Sequence, residues 1–104
     1  MDKRSAHRIS IIIPVYAGER TLPTLIEEIA PLTEIQTTRD GNSFTVCEVL
    51  LVHDCGPDRS DTAIEALSAR YSFVLPIWLS KNYGQHAATL AGMASATGDW
   101  VVTI

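Results

Sequence analysis

Residues 48–60, EVLLVHDCGPDRS, place an acidic side chain at the end of an apolar run. The run predicts a buried strand that ends at Asp54 and turns at Gly56 and Pro57. Such a strand is typical of a parallel, open α/β sheet, in which ligands bind at the carboxyl ends of the strands. Asp54 is therefore a candidate binding residue by its position alone. The alternative is that Asp54 only caps the turn into the next helix.

The elements that position Asp54 alternate between strands and helices. Apolar runs predict strands at 8–16, 44–52, 73–79 and 100–104, and helical spacing predicts three helices between them. Thr21 is predicted to cap the first helix, whose apolar spacing continues to Leu32. Ser60 or Asp61 is predicted to cap the second helix, and the third is predicted at 85–96. A polar link is predicted at 37–43. Connections of helix length predict a parallel sheet with right-handed crossovers.

Length and composition limit the class of protein. The 104 residues are 46% apolar and 19% charged, which predicts a single small globular domain covering residues 1–104. A net charge of −4 without a basic stripe argues against a nucleic-acid partner. Cys47 and Cys55 form no metal motif with the three histidines, and we expect reduced thiols in a cytoplasmic protein. No segment reaches the ~20 apolar residues of a membrane span.

Four sequence blocks resemble the inverting GT-A glycosyltransferases of the family 2 type. They are PVYAGE at 14–19, VHDCGPDRS at 52–60, LSKNYG at 79–84, and AG with TGD at 91–92 and 97–99. The third block is most similar to the branch that includes dolichyl-phosphate mannose synthases and polyprenyl-phosphate sugar transferases. The resemblance implies a three-layer α/β/α, Rossmann-like GT-A fold with strand order 3-2-1-4. It also implies that this chain is the N-terminal, donor-binding half of the enzyme.

The same resemblance implies a function and a set of binding residues. Enzymes of this kind transfer a sugar from a nucleoside diphosphate to an acceptor, with inversion at the anomeric carbon. Pro14, Tyr16 and Glu19 would line the nucleotide pocket, Asp54 would read the base, and Lys81 would reach the base or a phosphate. Because a carboxylate accepts the ring N–H of uracil and of guanine alike, both UDP-sugar and GDP-sugar donors stay open.

Three positions depart from the family pattern, and the expected metal ligands are absent from the sequence. Ala17 stands where Asn is common, His53 where Asp or Asn is common, and Gly56 where Ser is common. The missing polar groups at Ala17 and Gly56 are expected to loosen the turns or weaken donor binding. A divalent metal, Mg or Mn, is expected on the diphosphate, with its ligands beyond Ile104. No catalytic residue and no metal ligand is assigned within residues 1–104.

The sequence leaves open which acceptor is used and whether the enzyme is associated with a membrane. A polyprenyl phosphate acceptor would fit a membrane-associated enzyme, and a glycan acceptor would fit a soluble one. The apolar end of the chain predicts that the natural polypeptide continues past Ile104 and that the fourth strand self-associates. Because no metal ligand or catalytic base is assigned, residues 1–104 alone are expected to bind nucleotide weakly without transferring sugar. A dinucleotide-binding domain is disfavoured because G-x-G-x-x-G is missing after the first strand. A non-catalytic interaction module or receiver-like signalling module stays open.

Overall fold

The computed structural model describes residues 6–104, which form five strands and three α-helices. The strands are β1 (Ala6–Val15), β2 (Gln36–Thr37), β3 (Ser43–His53), β4 (Val74–Trp78) and β5 (Trp100–Thr103). The helices are α1 (Leu22–Ile29), α2 (Ser60–Arg70) and α3 (Gln85–Ser95). A short 3₁₀ turn, Ala30–Thr33, follows α1.

The four long strands form a parallel sheet in the order β4-β3-β1-β5. This confirms the predicted order 3-2-1-4. The two-residue strand β2 is an addition: it pairs antiparallel with the start of β3, through Gln36 opposite Phe44 and Thr37 opposite Ser43. The predicted polar link is thus a hairpin, closed by a hydrogen bond from the Thr38 amide to the Asn42 carbonyl at 2.7 Å.

The larger core lies between the sheet and the helices α1 and α2. Side chains along a strand alternate between its two faces, so every second residue of β1 and β3 faces these helices. Ile26 of α1 and Ile64 of α2 are fully buried there against Ile11, Val49 and the side chains around them. These two helices therefore form the first of the three predicted layers.

The opposite face of the sheet is covered by α3 at close range. Ile12, Leu50 and Val52 form this smaller core with Ala88 of α3. A Cβ placed on Gly92 would lie 2.5 Å from Cγ2 of Ile12, so a larger residue does not fit without movement. The small residues of α3 let the helix approach the sheet closely, and α3 forms the third layer.

Two helix ends differ from the prediction. The first helix stops at Ile29, before Leu32, because proline at 31 has no amide hydrogen to continue the α-helical ladder. Neither Ser60 nor Asp61 precedes the second helix as its cap; Ser60 is its first residue. The Ser60 amide instead donates to Oδ1 of Asp58 at 3.0 Å. Asp58 supplies this carboxylate, two or three residues before the positions that the sequence pattern assigned to the cap.

Candidate nucleotide pocket

A cavity of about 310 Å³ opens at the carboxyl ends of β1 and β3. It is lined by Pro14, Val15, Tyr16, Asp54, Asn82, Gly84 and Gln85. The walls come from three segments: the end of β1, the residue after β3, and the loop that leads into α3. Because β1 lies between β3 and β5, the cavity is at the point where the strand order reverses, which is where open α/β sheets bind ligands.

Asp54 lies at the base of this cavity and is only 3% exposed. Its amide donates to the Val15 carbonyl at 2.9 Å, which continues the pairing of β3 with β1. Its Oδ1 accepts the Tyr83 amide at 2.9 Å, and its Oδ2 accepts the Gly84 amide at 3.1 Å. These two bonds join β3 to the α3 loop. Each carboxylate oxygen has a second lone pair, so Asp54 can still accept a donor from a ligand.

The turn after Asp54 is shaped by two unusual backbone features. Cys55 has a φ of 48°, in the left-handed region that non-glycine residues seldom adopt. A Cβ built on Gly56 would overlap the carbonyl oxygen of Tyr16. Glycine at this position therefore brings the turn directly against the end of β1. Gly56 thus packs closely on Tyr16, whereas the sequence predicted that the missing polar group would loosen this turn or weaken donor binding.

Tyr16 and Pro14 form the β1 wall of the cavity. The Tyr16 side chain is 51% exposed at the rim, and Pro14 is half-buried behind it. An aromatic ring that is half exposed beside a buried carboxylate offers a flat apolar surface next to a hydrogen-bond acceptor. The structure thus brings together three of the five residues that the sequence assigns to the pocket: Pro14, Tyr16 and Asp54.

The other two assigned residues lie outside this cavity. Oε1 of Glu19 accepts the Arg59 amide at 3.2 Å, on the side of the β1 loop that faces α2. The exposed Lys81 ammonium lies 5.3 Å from the ring centroid of Tyr83. Neither residue is among the lining residues of the cavity. Their contact with a nucleotide stays a prediction.

The sequence analysis missed three residues of the α3 loop that line the cavity. Oδ1 of Asn82 accepts the Gly84 amide at 3.0 Å, and Gly84 has a φ of 94° that favours glycine. Gln85 begins α3 at the cavity wall. The available signal was positional: a loop that follows a parallel strand opens at the same edge of the sheet as Asp54.

The described residues do not fit a divalent cation. Within residues 6–104, no group of three or more His, Cys, Asp or Glu side chains is arranged to hold a metal. Among the residues that line the cavity, Asp54 is the single carboxylate. His53 packs edge-on against Trp78, with ring centroids 5.4 Å apart. A metal expected from the GT-A resemblance would need ligands from elsewhere.

A second buried carboxylate, Glu48, lies at the other end of the sheet. It is 6% exposed, and Oε2 accepts the Ser10 hydroxyl and the Thr97 amide, each at 2.6 Å. The Ser10 oxygen in turn accepts the Gly98 amide at 2.9 Å. Burial opposes ionisation of Glu48, but these hydrogen bonds outweigh it and lower its pKa. The cluster attaches the turn before β5 to β1 and β3.

Comparison with known proteins decides the family. The family described as "Glycosyl transferase family 2" matches this chain over residues 10–104, which is nearly its whole length. The chain belongs to glycosyl transferase family 2. This membership confirms the recognised family and leaves the receiver-like alternative without support.

The family 2 chain is similar to curated proteins that are much longer. Undecaprenyl-phosphate 4-deoxy-4-formamido-L-arabinose transferase of Pseudomonas aeruginosa is 40% identical over 97 residues. That match covers 92% of this chain and 26% of the relative, so the chain spans about a quarter of the relative's length. The likeness therefore extends over nearly all of this chain and over about a quarter of the relative.

Solved structures of glycosyltransferases share the fold. TarS residues 1–349 of S. aureus superimposes with a TM-score of 0.70 at 21% identity, over 93% of this chain and 26% of that one. The mannosyltransferase PcManGT of Pyrobaculum calidifontis, solved with GDP-Man and Mn²⁺, gives 0.65 at 20% identity, over 92% and 26%. TarS has also been solved with UDP-GlcNAc. These likenesses confirm the predicted GT-A fold.

Among residues 6–104, each helix is too short or too polar to cross a bilayer.

Proposed function

We propose that the cavity beside Asp54 binds the nucleoside diphosphate of a sugar donor, and that the protein in its full natural length transfers that sugar with inversion. The observation that carries the proposal is the placement of a buried carboxylate below an exposed tyrosine, at the carboxyl ends of β1 and β3. The family resemblance implies that a base is recognised from this position, which supports the proposal. The described residues form the donor site, and the acceptor site is assigned to the remainder of the protein.

The chemistry of the cavity suits a pyrimidine or purine base with a ring N–H. Asp54 offers the second lone pairs of its two oxygens to that N–H, and the Tyr16 ring covers one face of the base. Uracil and guanine both present such a donor. Relatives of similar fold were solved with UDP-GlcNAc and with GDP-Man, so both bases enter the test.

A polyprenyl phosphate is the acceptor that we propose. The curated relatives at 40% identity are undecaprenyl-phosphate transferases, which supports this class. A phosphate oxygen is already anionic, so it can attack the anomeric carbon without a base to remove a proton. The bond to the diphosphate breaks as the new bond forms on the opposite face, which inverts the anomeric configuration. Such an acceptor places the enzyme at the cytoplasmic surface of a membrane.

The diphosphate of the donor is expected to require a divalent cation. A bound cation stabilises the charge that develops on the leaving diphosphate. Because residues 6–104 provide no cluster to hold it, its ligands are proposed to lie in the remainder of the protein.

The test is a transfer assay on the protein in its full natural length. Radiolabelled UDP-sugars and GDP-sugars are each incubated with a short polyprenyl phosphate and Mn²⁺, and the lipid-soluble label is measured. We expect label in the lipid fraction with one nucleotide class, with the inverted anomeric configuration by NMR. Asp54→Ala should reduce the initial rate at limiting donor by at least about tenfold. Absence of lipid label with every donor would contradict the proposed acceptor.

A further inference from the structure

The loop after β1 is joined to the start of α2 by three hydrogen bonds outside the cavity. The Gly18 amide donates to Oγ of Ser60 at 2.8 Å, and the Glu19 amide donates to Oδ2 of Asp58 at 3.1 Å. In the reverse direction, the Arg59 amide donates to Oε1 of Glu19 at 3.2 Å. Each loop thus donates to the other, and we call these five residues the loop latch.

The latch is held together by Ser60 and Asp58 on the α2 side. Ser60 is fully buried, and its hydroxyl donates to Oδ1 of Asp58 while its oxygen accepts the Gly18 amide. The Ser60 hydroxyl is the main cause that lowers the pKa of Asp58, which keeps this carboxylate ionised as an acceptor. Two consecutive amides of the β1 loop are therefore occupied by protein groups and are not available to a diphosphate.

Glu19 contacts the backbone of Arg59 and not its guanidinium group. The Arg59 side chain turns along α2, where Nε donates to Oδ1 of Asp61 at 3.2 Å and Nη2 to Oγ1 of Thr62 at 2.9 Å. The bond from Glu19 to Arg59 therefore requires an acceptor oxygen at residue 19 and does not require an ion pair. Glutamine provides such an oxygen, and alanine does not.

The latch lies next to the tyrosine wall of the cavity. Gly18 and Glu19 follow Tyr16 by two and three residues, and the Tyr16 carbonyl packs directly on Gly56. The backbone is thus held at the Tyr16 carbonyl and again at the Gly18 amide, which fixes the point from which the Tyr16 ring projects at the rim of the cavity. The described contacts thus connect the start of α2 to the shape of the cavity.

We propose that Glu19 is a positioning residue, which holds Tyr16 against the Asp54 side of the cavity by way of the Arg59 backbone, and does not contact the donor. The inference rests on the proposed nucleotide site. It replaces the direct role in lining the pocket that the family resemblance implies for Glu19.

The test combines amide hydrogen exchange with nucleotide titration on the protein in its full natural length. Glu19→Ala should speed exchange of the Arg59 amide and of residues 16–19, and should weaken binding of the preferred nucleotide by about fivefold. Glu19→Gln should restore both values to within about twofold of wild type. Glu27→Ala, at an exposed site on α1 outside the latch, is the matched control and should leave both values unchanged.

Three results would overturn the inference. If Glu19→Gln weakens binding as much as Glu19→Ala while exchange stays slow, the carboxylate contacts the ligand. Unchanged exchange in Glu19→Ala would show that the latch bond is absent. Equal affinity of wild type and Glu19→Ala, with faster exchange, would show that the latch does not act on the site. Failure of the proposed function looks different: the wild-type protein itself would bind no nucleotide, and the positioning role would fall with it.

Discussion

The carboxylate of Asp54 accepts the backbone amide of Tyr83 at 2.9 Å. The same carboxylate accepts the next amide, that of Gly84, at 3.1 Å. Asp54 therefore has a structural task in the absence of any ligand, because it attaches the loop before α3 to the end of β3. A ligand N–H at this carboxylate would share its oxygens with that loop, so occupancy of the cavity and order of the loop are coupled.

Replacing Asp54 by asparagine should loosen this loop. The amide nitrogen of asparagine is a donor, so it would face one of the two backbone donors without accepting its hydrogen. We expect Asp54→Asn to lower the free energy of unfolding by about 1.5–3 kcal/mol, and to speed exchange of the Tyr83 and Gly84 amides. Urea denaturation and hydrogen exchange measure the two effects. Asp40→Asn, in the exposed turn between β2 and β3, is the control. Equal unfolding free energies and equal amide exchange rates in the two variants would show that Asp54 does not hold the loop.

Gly56→Ala should disturb the contact between the two loops. A Cβ at this position overlaps the Tyr16 carbonyl oxygen, so the backbone must shift to admit it. We expect a loss of about 1–3 kcal/mol in the free energy of unfolding and a weaker nucleotide affinity. Gly41→Ala is the comparison, because Gly41 has a φ of 86° but open space around it. Gly41→Ala should lower the free energy of unfolding by about 1–2 kcal/mol and leave the nucleotide affinity unchanged. An unchanged nucleotide affinity in Gly56→Ala would contradict the proposed contact between the turn and the cavity.

Glu48 should make stability depend on pH in the acidic range. Its pKa in the folded protein lies below the ordinary value of 4.5, so the unfolded chain binds a proton more readily. The contribution of ionised Glu48 is therefore complete above about pH 4.5 and is lost as the pH falls through the folded-state pKa. Urea unfolding at a series of pH values should show a shallower acid decline in Glu48→Gln. The exposed Glu28→Gln serves as control, and parallel curves for wild type and Glu48→Gln would exclude the effect.

The edge strand β5 should promote self-association, as the sequence predicts. All four of its residues are exposed, and in the described structure it pairs with β1 on one side alone. Light scattering should give a mass that rises with concentration, and Val102→Lys should suppress the rise. Leu75→Lys on β4 is the control, because Pro76 already removes an amide donor from that edge. A wild-type monomer mass that is independent of concentration would argue against association through β5.

Much of the fold was predictable because its signals are local. The isoleucine run of β1 and the apolar run of β3 identify buried strands, and helical spacing identifies the segments between them. The strand β2 was missed because Gln36–Thr37 is too short and polar to show a pattern. The early end of α1 was missed because apolar spacing continues to Leu32, although proline at 31 already interrupts the helix.

The site was only partly predictable because its bonds join distant parts of the chain. Position alone identified Asp54, and the family resemblance added Pro14 and Tyr16. The amides that Asp54 accepts come 29 and 30 residues later, and the Thr97 amide bound by Glu48 comes 49 residues later. No local pattern records such partners. The family resemblance also assigned Glu19 and Lys81 to the pocket, but the structure directs their side chains to protein groups.

Calorimetric titration with UDP and with GDP, each with and without Mn²⁺, tests the central claim most directly. The account predicts saturable binding of one nucleotide by the wild-type chain and at least about tenfold weaker binding by Asp54→Ala. Asp40→Ala, in the exposed turn, should bind as wild type does. A folded wild-type chain that binds neither nucleotide at millimolar concentration, or an Asp54→Ala variant that binds equally well, would contradict the claim that the cavity beside Asp54 is the nucleotide site.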